Sequence, residues 1–140
     1  MKIVLFFLLL SLVLGPDLFA KGDLDANGVS VNDRNPDPGD LVTVRWTALN
    51  RTGDYIGGSQ QGVMFSSNSS IRHGDTLLAR EYVGPLGGFY ADSSPETKVV
   101  KIPTWAVPGR TYWIGIYADY DYDRSESNES NNYSSGVSIT

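Results

Sequence analysis

The chain of 140 residues contains no cysteine and a single histidine. Disulfide staples, thiolate metal sites and lipid attachment through an N-terminal cysteine are thereby excluded. Zinc sites built on Cys and His are all but excluded with them. Basic residues are also in deficit: 11 Lys and Arg stand against 16 Asp and Glu, a net charge of −5. No basic stripe or patch is present, so nucleic acid is not an expected partner. Beyond residue 20 there is no apolar run of membrane length and no amphipathic helical period. The sequence is equally poor in catalytic patterns. His73 lies between Arg72 and Gly74 in a polar loop, and no nucleophile elbow occurs, since Gly57-Gly58-Ser59 lacks the closing glycine. The carboxylates crowd into a loop read as solvated, where no burial raises a pKa for acid–base work. The chain is read as a non-enzyme.

What is present begins with an export signal over residues 1–20. Lys2 supplies a positive start, Ile3 to Leu14 is apolar except for Ser11, and Gly15-Pro16 breaks the run before Phe19-Ala20. The apolar stretch is shorter than the roughly 20 residues of a membrane span, so cleavage before Lys21 is expected, with no stable membrane insertion afterwards. Residues 21–140 then form one domain. An exported domain of this size without cysteine must hold together by packing alone. Secreted, periplasmic or cell-surface localisation is expected.

The mature part reads as strands. Period-two alternation recurs between clusters of Gly, Pro, Asn, Asp and Ser. Strands are expected over 24–31, 41–50, 62–66, 77–83, 97–102, 111–118 and 136–140. In the clearest, Val42, Val44, Trp46 and Ala48 share one face and Thr43, Arg45 and Thr47 the other. In the sixth, Tyr112, Ile114 and Ile116 face inward and Trp113 and Tyr117 outward. The inward face of 77–83 stays open, because Leu77 and Leu78 are adjacent. About seven strands with turn signals every 8–15 residues predict an all-β, immunoglobulin-like antiparallel sandwich with Greek-key connections. Tyr112, near the start of the penultimate strand, sits where such folds hydrogen-bond a tyrosine hydroxyl to nearby backbone; one more half-buried aromatic is the alternative.

Two segments carry a resemblance. Pro38-Gly39-Asp40 precedes a strand that ends in Trp46 and, four residues on, Asn50, and Glu126-Ser127-Asn128-Glu129-Ser130-Asn131-Asn132 precedes the last strand. With Ser69–Asp75 and Thr76-Leu77-Leu78, they resemble the CARDB domain, the cell adhesion related domain found in bacteria, over about residues 24–140. The resemblance implies a seven-stranded immunoglobulin-like sandwich in surface-exposed or secreted prokaryotic modules, with no established catalytic residues.

The acidic loop and the exposed aromatics are the candidate sites. Asp119, Asp121 and Asp123 at spacing two, with Glu126, are hard oxygen donors of the kind calcium takes. On an extended segment the three Asp side chains would share one side. The EF-hand pattern fails at Arg124 and Ser130, and capping of backbone groups by Glu129, Asn131 and Asn132 is the competing role. Trp113, Tyr117, Tyr120 and Tyr122 offer flat apolar faces with polar tips, suited to stacking on sugars; cross-strand packing of Trp113 is the alternative. The function expected is that of an exported non-catalytic module for adhesion, binding or scaffolding. An envelope or extracellular protein is the first expected partner and a polysaccharide the second. A purely structural unit with a calcium-stabilised loop is the third reading.

Overall fold

A computed structural model of the chain describes residues 21–88 and 93–140. The expected signal segment lies outside the described residues. Seven strands follow one another: β1 (Leu24–Val31), β2 (Leu41–Asn50), β3 (Ser59–Ser66), β4 (Thr76–Val83), β5 (Ser93–Lys101), β6 (Tyr112–Tyr117) and β7 (Val137–Ile139). They form two antiparallel sheets, one ordered β1-β2-β5 and the other β4-β3-β6-β7. This is the immunoglobulin-like sandwich that the alternation predicts. β3 starts three residues before the expected position and β5 four, because their first residues are polar yet still pair in the ladders.

The interior follows from period two. Val42, Val44 and Trp46 of β2 meet Val63, Phe65, Tyr112, Ile114 and Ile116 of the other sheet, all at most 5% exposed, and Ala48 on the same face is fully buried. Each fully buried aliphatic or aromatic side chain of this kind stabilises the fold by roughly 1.5–3 kcal/mol. A buried polar contact spans the two layers: Trp46 Nε1 donates to Gln61 Oε1 at 2.6 Å. The corner tyrosine is in place. Val107 N–H donates to the Tyr112 hydroxyl at 3.0 Å, and the Tyr112 ring stacks on Phe65 with centroids 4.7 Å apart.

The ambiguity of Leu77 and Leu78 has a structural cause. Val63 pairs with Ala79 but Met64 pairs with Leu77, so β4 carries a bulge at Leu78. Leu78 and Ala79 both pack on the core, while Leu77 approaches Gly62 on the opposite face. β7 is short. Beyond it, the edge of β6 is continued irregularly by residues 132–134: Ala118 N–H donates to the Asn132 carbonyl, and Ile116 N–H donates to the Ser134 hydroxyl at 2.8 Å.

Candidate ligand cleft on the outer face of the larger sheet

The outer face of the β4-β3-β6-β7 sheet is covered by two loops. The first, residues 67–75 between β3 and β4, bends back across the sheet instead of reaching into solvent. Two close approaches hold it down. Gly115 on β6 has no side chain, and Ile71 fills the space: a Cβ there would lie 2.3 Å from Ile71 Cγ1. Ile71 is only 2% exposed although it is the lone aliphatic residue of a polar loop. At Gly62 a Cβ would lie 2.6 Å from the ring of Tyr120, which belongs to the second loop, 118–136. The loops meet where Ser70 and Ser135 form an isolated antiparallel bridge.

Where the loops meet, the aromatic residues gather around His73. Its ring stacks on Tyr120 with centroids 4.5 Å apart, meets Tyr117 edge-on at 5.2 Å, and lies 4.9 Å from Tyr122. His73 Nε2 contacts the Tyr120 carbonyl at 2.9 Å. A carbonyl can only accept, so Nε2 carries the hydrogen. The Arg80 guanidinium lies 5.1 Å from the centroid of the Tyr120 ring, and Arg80 also pairs with Asp121 at 3.3 Å. Burial, and after it the Tyr122 hydroxyl and the carboxylates of Glu126 and Glu129, pushes the Tyr117 hydroxyl above its ordinary pKa.

Beside this cluster opens a cleft of about 530 Å³. Ser69 to His73 line one side; Tyr117 and the segment Tyr133-Ser134-Ser135 line the other. Tyr117 and Tyr133 are bridge partners on neighbouring chain segments. Of the four expected ligand-binding aromatics, the structure brings Tyr117, Tyr120 and Tyr122 together. Trp113 stays apart. It lies two residues before Gly115 on the same face, with Ile71 seated between it and Tyr117, and it faces Ser66 and Ser138 across the ladders. His73 and Tyr133 were missed by the reading of the strands. Glycine in a strand interior, here Gly62 and Gly115, is the signal that another segment crosses the sheet.

The acidic loop is built differently from the extended run expected. Asp119 and Tyr122 adopt positive φ angles of 45° and 55°, and Tyr122 N–H donates to the Asp119 carbonyl at 2.9 Å. The segment 119–123 is therefore a turn, and its aspartates do not share one side. Asp119 is fully buried and accepts the Asp123 and Arg124 N–H groups, each at 3.0 Å. Asp121 turns to Arg80, and Asp123 is exposed.

Glu126, 6% exposed, accepts the Leu24 N–H at the start of β1 and the Asn132 amide at 2.8 Å. Glu129 accepts the Glu126 N–H at 2.8 Å, and Asn131 donates to Asp23 at 3.1 Å. Glu129 and Glu126 each cap one backbone N–H and Asp119 caps two, while the Asn131 and Asn132 amides donate to carboxylates. Among the described residues no three His, Cys, Asp or Glu side chains are grouped so as to hold a metal ion.

Burial here corrects the reading of a solvated loop. Glu126 is pushed up to about 8 and Asp119 and Asp23 are raised, in each case chiefly by burial.

No family model matches the sequence, and no curated protein matches it. The fold does have solved counterparts. The crystal structure of a CARDB domain from Pyrococcus furiosus, determined in complex with di-metal ions, superposes with a TM-score of 0.61 at 17% identity, over 87% of this chain and 94% of that one. The solution NMR structure of the same domain gives 0.61 at 18% identity, over 87% and 96%. The fold is therefore CARDB-like.

Proposed function

We propose that this protein is an exported, non-catalytic binding module of the cell envelope or extracellular space, and that it binds through the cleft beside His73. One observation carries the reading. A sheet face that could simply be solvated is instead roofed by two loops held at Gly62 and Gly115, and the roof ends in a formed cleft walled by interlocked rings. Loops positioned on a rigid scaffold are where binding surfaces are found. The cleft volume falls within the range of about 300–1,000 Å³ typical of small-ligand sites. The His73 Nε2 hydrogen is committed to a backbone carbonyl, which leaves this nitrogen unsuited to accept a proton from a nucleophile.

The di-metal ions belong to the archaeal domain, and the acidic loop of this chain does not fit such a group. Both oxygens of Asp119 accept hydrogen bonds within the loop, both of Glu126 accept from the Leu24 N–H of β1 and the Asn132 amide, and Asp121 is paired with Arg80. Melting curves in calcium and in chelator are expected to coincide; a rise of several degrees with calcium would restore the cation-stabilised reading.

The test of the binding role is sedimentation of purified protein with isolated prokaryotic envelopes. Ser135→Trp places a bulky ring in the cleft from an exposed position. The parent protein is expected to cosediment and the variant to stay in solution. Equal cosedimentation of both, or of neither, would remove the cleft from the account.

A further inference from the structure

The chemistry of the cleft narrows its ligand. Four lining residues are serines (Ser69, Ser70, Ser134, Ser135), and the aromatic surface comes from Tyr117, Tyr133 and His73. Tyr133 is 53% exposed and Tyr122, at the margin of the cluster, 56%. Flat apolar faces beside a floor of hydroxyl groups match a ligand that itself has an apolar ring face and a rim of hydroxyls.

Two other ligand classes fit less well. A peptide strand would need a free row of backbone donors and acceptors. Here the flanking segments already pair with one another, through the bridges of Ser70 with Ser135 and Tyr117 with Tyr133. A cationic ligand would need carboxylates, and none lines the cleft, whose one full charge is Arg72. The wall is also rigid before any ligand arrives. Tyr117 makes edge contacts with His73, Tyr120 and Tyr122, so that ring has little rotamer freedom left to lose on binding.

We infer that the cleft is a saccharide site: a sugar ring lies against the Tyr117–Tyr133 wall while its hydroxyls exchange hydrogen bonds with the exposed Ser69, Ser70 and Ser135 and with Arg72. The inference rests on the binding role proposed above and names its ligand class. Arg72 adds an attraction for carboxylated sugars, so a uronate polymer binds more tightly than its neutral counterpart, by a margin that salt reduces.

The experiment is affinity electrophoresis of the full chain through gels containing a neutral β-glucan, a soluble chitin oligomer mixture or a polyuronate, with dissociation constants then measured by calorimetry. At least one polymer is expected to retard the protein. Tyr133→Ala, at an exposed position, is expected to weaken binding about three- to tenfold, the scale of one stacking contact. Ser135→Trp is expected to abolish it. Circular dichroism and melting temperature verify that each variant is folded. Retardation that neither variant changes would overturn the inference, and so would no retardation by any of the three classes. If sugars fail while Ser135→Trp still abolishes envelope binding, the binding role stands and the ligand is a protein surface.

Discussion

At the residue scale, Glu126 is the most exacting position described. It is a carboxyl group buried at the pole of the sandwich, where it accepts the opening N–H of β1 and the Asn132 amide. Removing it leaves the Leu24 N–H buried without a partner, so Glu126→Ala is expected to cost about 2–3 kcal/mol in urea denaturation. The pH dependence has a definite sign. The folded-state pKa of about 8 lies above the ordinary value of 4.5. Between those values the folded protein binds the proton and the unfolded chain does not, so stability falls as pH rises, by up to roughly 1.4 kcal/mol per pH unit. The parent protein should lose stability from pH 5 to pH 8, and Glu126→Gln, which cannot ionise, should show a flatter profile over the same interval. An equally steep profile in the variant would place the titration elsewhere. Tyr112 offers a milder test: Tyr112→Phe deletes one neutral hydrogen bond to the Val107 N–H and is expected to lower stability by about 1 kcal/mol.

At the scale of elements, legibility in the sequence tracked how strictly a segment obeys period two. β2 and β6 alternate cleanly, and their inward sets were readable from spacing alone. β4 was not, because the bulge at Leu78 breaks the alternation in the middle of the strand. The loop over residues 67–75 was less legible still. Its docking depends on one isoleucine meeting a glycine some forty positions later, and no local pattern signals a contact so distant in sequence. The turn at 119–123 misled for a related reason. Its period-two aspartates have the spacing of a strand, but left-handed backbone at Asp119 and Tyr122 closes a turn instead. The docking of the first loop can be tested directly. Gly115→Ala forces a methyl group against Ile71, and overpacking of this kind costs about 1–3 kcal/mol. Hydrogen exchange over 67–75 should then quicken while the amides of β2 and β5 keep their protection; unchanged exchange in the loop would mean that Ile71 does not hold it.

For the molecule as a whole, the carboxyl groups with raised pKa among the described residues lie at one pole. Asp23, Asp119 and Glu126 are each pushed up chiefly by burial, and they occupy the start of β1 and the loop that follows β6. Each contributes the same sign, so protonation favours the folded state as acid is added. The melting temperature of the intact protein is therefore expected to rise as pH is lowered from 8 to 5, against the common loss of stability in acid. Scanning calorimetry at three pH values decides it. The seven strands were legible because both sheets share one dry interior; the cleft was not, because it forms on the far side of one sheet by the meeting of two loops.

The bond between the Leu24 amide and Glu126 also sets an order of events. It joins positions 102 residues apart, and β1 finds its cap only when that distant acid has arrived. A nascent chain therefore pairs β1 with the nearby β2 first and caps its opening N–H only when nearly all of it has been synthesised, since contacts this remote in sequence are slow to form.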